Sequence, residues 1–232
     1  MSKIDEKTLW IKDCRLGFPH LITPQESEAG LRYNAVLIMD PASPEWAEAM
    51  AMIGQVVSDK WGDQAQAVMN VMAVTKNLRC YGNGDEKINP KTGLVYDGFP
   101  GQVFISANNK VQPNLYGQNA LPLPPTANAN EMFVGGNNIA AIISFWAQDN
   151  KHGRAIRAQL DGVQYIREGE HFGATGPDTD AIFQPVAGAP APTAAAPGMP
   201  VMPGVAAPAP VAPVSPVAPA PVAPAASVDD FL

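Results

Sequence analysis

The chain has 232 residues, 24 of them proline, and a formal net charge of −7. Its two cysteines, Cys14 and Cys80, are too few for the disulfide framework of a small secreted protein. An acidic chain does not attract nucleic acid over its whole surface, so binding to phosphates would require basic side chains gathered on one face.

Two features of the sequence indicate a compartment. Residues 1–6 lack the basic and then apolar pattern of a signal peptide. No apolar run approaches the ~20 residues of a membrane span. We therefore expect a soluble protein of a reducing cytoplasm that has no membrane partner.

Alternation of apolar and polar residues predicts two strands early in the chain. They are residues 9–16 and residues 31–39. Since Pro19 and Pro24 fall between them, a loop is expected there.

A helix is predicted after the second strand. Ser43 is expected to be its N-cap and Pro44 its first helical residue. Apolar residues then recur at three- and four-residue spacing, which favours the packed face of an amphipathic helix. They are Trp46, Met50, Ile53, Val57 and Trp61.

Strands return in the middle of the chain. The pattern from Val74 onward predicts a strand with Arg79 beside Tyr81 on its polar face. Residues 103–107 predict another strand, whose alternation leaves Phe104 on the outer side.

The most apolar predicted strand covers residues 139–148. Its neighbouring aromatics Phe145 and Trp146 must point to opposite faces, so one can lie in the core and the other outside. A hairpin then leads to a strand that carries arginines on both faces, Arg154 and Arg157.

Several short strands, turn signals between them and one early helix predict a mainly β fold. We expect a small β-barrel or sandwich with a helical insertion. The folded domain should cover residues 1–184 and close near Phe183. Its net charge is −5, because Asp229 and Asp230 are the acids that follow it.

Motifs for catalysis and metal binding are missing from the sequence. The histidines His20, His152 and His171 are scattered among turn residues and show no metal-ligand spacing with the cysteines. No phosphate-binding loop, dinucleotide fingerprint or nucleophile elbow occurs. We therefore predict a protein that is not an enzyme and that holds no metal or cofactor.

Aromatic side chains interleaved with cations are the most informative feature of the strands. Single-stranded nucleic acid exposes base faces and a line of phosphates together, and stacking contributes roughly 1 to 3 kcal/mol per base. The alternative is that the aromatics pack in the core and the arginines form surface ion pairs. The residues concerned are Lys76, Arg79, Tyr81, Phe104, Lys110, Trp146, Arg154 and Arg157.

A segment rich in alanine and proline, residues 185–226, carries no charge. Because proline lacks an amide donor and fixes φ, we expect a disordered polyproline II tether. Residues 227–232 restore charge and an aromatic, and they predict a docking peptide for a basic pocket with an apolar floor on another protein. A merely solubilising acidic end is the alternative. The side chains that would dock are Asp229, Asp230 and Phe231.

Three stretches resemble a family of tailed-phage single-stranded DNA-binding proteins, and the chain is similar to the Enterobacter phage member. They read NLRCYGNGDE at 77–86, YDGFPGQVFISA at 96–107 and LDGVQYIREGE at 160–170. The similarity spans most of residues 8–175. It implies a modified OB-fold barrel with a disordered acidic C terminus, and a strand face that combines aromatic and basic side chains.

By that resemblance, the protein coats and protects single-stranded DNA during phage replication, in the cytoplasm of the infected bacterial host. The five cations named above would neutralise phosphates, and the tail would recruit replication or recombination proteins. Since the tail has only two acids and ends in Leu232, it should compete only weakly with DNA. The stacking residues would be Tyr81, Phe104, Trp146 and Tyr116.

Two rival functions stay open. One is a nuclease or recombination enzyme, although the sequence shows no acid cluster that would bind its metal. An adaptor that joins proteins without binding DNA would use the same barrel and tether, and the acidic charge favours it. The sequence also leaves open whether the barrel forms a homodimer.

Overall fold

A computed structural model describes residues 4–27, 30–124, 128–151 and 153–172. The predicted domain end at Phe183, the tether and the docking peptide lie outside these residues. The strands are β1 (Thr8–Gln25), β2 (Arg32–Met39), β3 (Tyr81–Asn83), β4 (Val103–Asn109), β5 (Asn114–Tyr116), β6 (Asn138–Asn150) and β7 (Gly153–Arg167). The α-helices are α1 (Pro44–Trp61), α2 (Ala65–Val74) and α3 (Ala129–Met132), and short 3-10 helices cover Gly62–Gln64, Lys76–Leu78 and Gly84–Glu86.

Five strands close into a barrel. β1 pairs with β2 and β6, β2 pairs with β4, and β6 pairs with β7, all antiparallel. The barrel closes where β4 and β7 pair in parallel, at Ala107 with Ala158 and at Asn108 with Gln159. β3 extends the barrel beside β4, and β5 extends it beside β7. This arrangement confirms the predicted mainly β fold, a modified OB-fold barrel with a helical insertion.

The barrel interior is filled by alternate residues of the five strands, as period-two patterning requires. The predicted strands around residues 31–39, 103–107 and 139–148 are confirmed. Side chains that are completely buried in this core include Leu9, Ile11, Leu16, Leu37, Ile105, Ile139, Ile143, Ile156 and Leu160.

The predicted helix is confirmed as α1. Ser43 is its N-cap, and the Ser43 hydroxyl accepts a hydrogen bond from the Trp46 amide at 3.3 Å. Its buried face packs on the barrel core, and α2 follows as a second helix that the sequence analysis did not predict. None of the helices in the described residues combines the length and the apolar character that a membrane span requires.

The predicted strand from Val74 is wrong. Val74 is instead the last residue of α2, and its side chain is 82% exposed. The buried residues Val68 and Met72 repeat at four-residue spacing, which is a helical period. The chain then forms the 3-10 helix at Lys76–Leu78, and strand pairing begins only at Tyr81.

The predicted loop around Pro19 and Pro24 is also wrong, because both prolines lie within β1. Two irregularities in the register with β2, on either side of His20, absorb them. Since a bulge leaves a residue outside the hydrogen-bond ladder, proline is tolerated at such a position.

Candidate nucleic-acid interface

The register of β6 and β7 places Trp146 directly opposite Arg157 on the outside of the barrel. Trp146 is 45% exposed, whereas Phe145 is buried, which confirms that the two neighbouring aromatics face opposite ways. Arg157 donates from Nη1 to the Asn77 carbonyl at 2.8 Å and from Nε to Gln148 Oε1 at 3.3 Å. Burial lowers the pKa of Arg157, but a guanidinium stays protonated in proteins. An exposed indole therefore has a permanent cation beside it.

A second group of cations surrounds Glu86. Arg79 Nη2 lies 2.9 Å from Glu86 Oε2 and 3.2 Å from Oε1. Lys76 Nζ lies 3.5 Å from Glu86 Oε2. The 3-10 helix after β3 turns the chain back and so brings Glu86 to these cations. Because the two cations share one carboxylate, one positive charge remains unbalanced.

Lys87 adds a third cation that the sequence analysis missed. Its Nζ lies 4.6 Å from the centroid of the Phe104 ring, a cation–π contact. Burial, and to a lesser extent the charge of Lys76, lowers the pKa of Lys87. Lys87 belongs to the irregular connection between β3 and β4, where no periodic pattern indicates which side chains face the barrel.

Phe104 points away from the barrel core, as predicted, but the expectation of an exposed stacking ring is wrong. The Phe104 residue is only 8% exposed. Phe99 packs against its ring with centroids 6.1 Å apart and planes at 71°. A Cβ on Gly82, the partner of Phe104 in β3, would lie 2.7 Å from the ring, so glycine leaves the space that the ring fills. Phe104 thus belongs to an outer aromatic cluster, formed by the buried residues Val36, Ile38, Phe99 and Phe104 with Val95, Tyr96 and Phe172 packed against them.

Tyr81 has features of both a core aromatic and an aromatic beside cations on the outer face. Its ring is half-buried and packs against Trp46 of α1, with centroids 6.3 Å apart. The Arg79 guanidinium lies 5.6 Å from the Tyr81 centroid, so the predicted neighbourhood of Arg79 and Tyr81 is confirmed. Tyr81 is therefore partly a core aromatic and partly a neighbour of the Arg79 cation.

Hydrogen bonds join these groups. The bond from Arg157 to the Asn77 carbonyl connects β7 to the segment before β3. The Ser106 amide donates to the Cys80 carbonyl at 2.6 Å and holds the same segment against β4. We call the resulting surface the basic face, and it consists of Lys76, Arg79, Tyr81, Lys87, Trp146 and Arg157.

Arg154 lies at the start of β7 and is engaged in a local ion pair. Its Nε lies 3.6 Å from Asp149 Oδ2, and its Nη1 donates to Gln64 Oε1. Asp149 Oδ2 also accepts a hydrogen bond from Trp61 Nε1 at 3.0 Å. Arg154 thus forms a surface ion pair, which was the alternative to a role in binding phosphate.

Lys110 and Tyr116 are not brought to the basic face. Lys110 is exposed directly after β4. Tyr116 pairs with Gln164 near the end of β7, whereas Arg157 lies near the start of that strand. Both residues therefore lie toward a different end of the barrel from Trp146.

Trp10 is an exposed aromatic that the sequence analysis did not single out. It is 40% exposed on the outside of β1, and Lys12 Nζ lies 5.5 Å from its ring centroid. Trp10 and Tyr116 line the same groove, which has a volume of about 260 Å³. The buried neighbours Leu9 and Ile11 are the signal that could have identified Trp10 as an outward residue, because alternate strand residues face opposite sides.

The described residues contain no group of three or more histidine, cysteine, aspartate or glutamate side chains that could hold a metal ion. Cys14 and Cys80 are buried free thiols. Burial raises the pKa of Cys80 to about 12 and also raises the pKa of Cys14. Both thiols therefore stay protonated near neutral pH, which is typical of structural rather than reactive cysteines.

Comparison with known structures relates this barrel to a phage protein. The single-stranded DNA-binding protein from bacteriophage Enc34, solved in complex with ssDNA, aligns with a TM-score of 0.58 and 21% identity, over 73% of this chain and 91% of that chain. A C-terminal truncation of the same protein aligns with a TM-score of 0.57 and 21% identity, over 72% and 90% of the two chains. At this identity, the likeness establishes a shared fold.

Sequence comparison establishes the family. The putative protein p50 of Acyrthosiphon pisum secondary endosymbiont phage 1 is 30% identical over 166 residues, which cover 70% of this chain and 84% of that protein. The model of a family described as Enterobacter phage Enc34, ssDNA-binding protein, matches residues 7–188. The chain therefore belongs to the family of the Enterobacter phage Enc34 ssDNA-binding protein.

Proposed function

We propose that this protein binds single-stranded DNA, without sequence preference and without catalysis, through the basic face. Its family is that of an ssDNA-binding protein, and a protein of the same fold has been solved with ssDNA bound. OB-folds hold oligonucleotides on the face of their second and third barrel strands. In this barrel those strands are β2 and β4, and Tyr81, Lys87 and the segment before β3 lie against β4.

The observation that carries the proposal is the position of Trp146 beside Arg157. A base can stack on the exposed indole while the guanidinium binds the phosphate that follows it. Neither contact depends on the identity of the base, because every base has a flat face and every nucleotide has a phosphate. This pair therefore suits binding that tolerates any sequence.

Local charge supports the proposal despite the acidic composition of the chain. The chain as a whole carries −7, but the basic face gathers Lys76, Arg79, Lys87 and Arg157, and Glu86 is the carboxylate that contacts two of them. Acidic side chains that lie more than about 10 Å from a bound phosphate are largely screened at 0.1 M salt. The four cations exceed the one carboxylate that contacts them, and this local excess favours binding of a backbone phosphate.

Fluorescence anisotropy of a labelled oligo-dT of ~20 nucleotides, titrated with the full-length protein, tests the proposal. We expect tight binding that falls with salt at a slope near −0.7 per phosphate contacted, and weaker binding of a duplex of the same length. Binding that is insensitive to salt would contradict the basic face. Absence of binding at low salt would contradict the function itself.

We further propose that the C-terminal peptide, with Asp229, Asp230 and Phe231, recruits replication or recombination proteins while the barrel coats and protects transient single strands inside the infected host cell. The support is in the sequence, where charge and an aromatic return only after a long uncharged segment. Deletion of residues 227–232 should leave DNA affinity unchanged or slightly raised and should abolish partner capture. A large loss of DNA affinity would contradict a docking role.

The overall negative charge favours one other function, an adaptor that joins proteins without DNA. The same titration separates the two functions. If wild-type protein fails to bind the oligonucleotide at low salt, the adaptor becomes the better explanation, and a peptide of residues 227–232 is the probe for its partner.

A further inference from the structure

A small pocket of about 200 Å³ lies within the basic face, between the segment before β3 and the outer side of β4. Its lining includes Lys76, Arg79, Lys87 and the hydroxyl-bearing Ser106. Glu86 also lines this pocket, and it is the carboxylate among the lining residues. The pocket therefore has the chemistry of an anion site.

Arg79 shows that this pocket is built around an anion. Its side chain is only 11% exposed. Its Nη2 contacts both oxygens of the Glu86 carboxylate, while its buried Nε has no hydrogen-bond partner. A guanidinium that is so far removed from water is stable only with an anion beside it, and part of its donor capacity is still unused.

Glu86 supplies the anion, and its side chain is able to move out of the pocket. It ends a short 3-10 helix and its side chain is partly exposed. The Lys76 side chain, which also contacts Glu86, is mostly exposed. A ligand can therefore reach the cations from solvent while the carboxylate swings away from them.

We propose that this pocket is a phosphate site of the DNA interface, and that Glu86 fills it in the free protein as an internal counter-ion that a backbone phosphate replaces. A phosphodiester and a carboxylate both present two oxygens to the arginine fork. The inference rests on the proposed function and extends it, because it assigns a specific phosphate contact to Arg79 and Lys76 and a restraining role to Glu86.

The exchange has a measurable consequence for salt dependence. A phosphate that binds cations releases the salt ions condensed on the DNA. When a carboxylate is displaced at the same time, it attracts a salt cation of its own and cancels part of that release. Glu86 should therefore make binding weaker and less sensitive to salt than the number of basic side chains suggests.

Glu86→Gln tests this in the full-length protein, because glutamine keeps the size and an oxygen acceptor but removes the charge. We expect the variant to bind labelled oligo-dT about twofold to fivefold more tightly, because a partly exposed ion pair contributes up to about 1 kcal/mol. Its salt slope should be steeper by up to about 0.7. Glu131→Gln is the matched control, since Glu131 lies in α3, outside the basic face, and its affinity should stay within twofold of wild type.

Three results distinguish the counter-ion role of Glu86, an effect of overall charge, and failure of the proposed DNA-binding function. If Glu86→Gln binds as wild type does or more weakly, the counter-ion role is overturned while DNA binding stands. If Glu131→Gln gains as much affinity as Glu86→Gln, the effect is one of overall charge and the pocket assignment is overturned. If neither the wild type nor the variants bind, the proposed function itself fails.

Nuclear magnetic resonance of the wild type keeps the test valid if Glu86→Gln unfolds. The Nε–Hε resonance of Arg79 should shift when oligo-dT is added, because the partner of its guanidinium changes. Arg15 is the internal control, since its guanidinium donates to the Glu170 carbonyl at 2.6 Å. An Arg79 resonance that does not move at saturating oligonucleotide would overturn the assignment.

Discussion

Trp146 and Arg157 are direct partners across β6 and β7, and the bond from Arg157 to the Asn77 carbonyl holds the guanidinium on the outside of the barrel. Side chains that face each other across antiparallel strands are about 5 Å apart at Cβ. A flat ring and a fixed cation are thus presented side by side on rigid elements, which is what stacking of a base together with binding of its phosphate requires.

Replacement of Trp146 by alanine should weaken oligo-dT binding by roughly fivefold to a hundredfold, because one stacked base contributes about 1 to 3 kcal/mol. Trp10→Ala is the matched control. The two tryptophans are similarly exposed, at 45% and 40%, but Trp10 pairs with Ile142, four residues along β6 from Trp146. That spacing is about 14 Å. Equal losses in both variants would show that the interface extends over both tryptophans.

The two arginines of β7 should differ in their contribution to binding. Arg157→Gln removes a cation whose contacts, the Asn77 carbonyl and Gln148 Oε1, are uncharged, so we expect a loss on the order of tenfold at low salt and a salt slope that is shallower by about 0.7. Arg154→Gln should change both quantities less, since Asp149 already balances Arg154. Anisotropy titrations at several salt concentrations measure both. A larger effect at Arg154 would move the phosphate path toward the β6–β7 hairpin.

Tyr81→Ala should affect both stability and binding. The ring packs on Trp46 but is only half-buried, so we expect a loss of about 2 kcal/mol of unfolding free energy, less than for a fully buried aromatic. Tyr81→Phe keeps the ring and should preserve both properties. Chemical denaturation measures stability, and anisotropy at a temperature where Tyr81→Ala is folded measures binding. Normal binding by folded Tyr81→Ala would remove the ring from the interface.

Much of the barrel could be predicted from the sequence because its long strands alternate strictly. In β6, the order Phe145 then Trp146 required one buried and one exposed aromatic, and the structure has both. The Ser43 cap and Pro44 identified the start of α1 for a similar reason, since both act within one turn of the chain. Local chemistry of this kind is fully visible in the sequence.

The contacts that shape the basic face depend on longer-range geometry. Glu86 meets Arg79 because a short strand and a 3-10 helix turn the chain between them, and no periodic pattern describes such a turn. The covering of Phe104 by Phe99 likewise depends on how the irregular connection before β4 folds back. Parallel closure of the barrel rests on two residue pairs between β4 and β7, at sites about fifty positions apart in the chain. Alternation could indicate which residues face outward, but not what would cover them.

Phe99 provides a test of that covering. It is 1% exposed and lies at the centre of the outer aromatic cluster, in contact with the rings of Phe18, Tyr96, Phe104 and Phe172. Phe99→Ala should lower the free energy of unfolding by about 3 to 5 kcal/mol, because it removes a buried ring and leaves a cavity. Leu94→Ala in the same connection is the control. Leu94 is exposed, so its loss should cost less than about 0.5 kcal/mol. Urea denaturation followed by circular dichroism measures both. If Phe99→Ala is as stable as Leu94→Ala, the connection does not pack on the barrel in solution, and Phe104 then returns to the candidate interface as an accessible stacking ring.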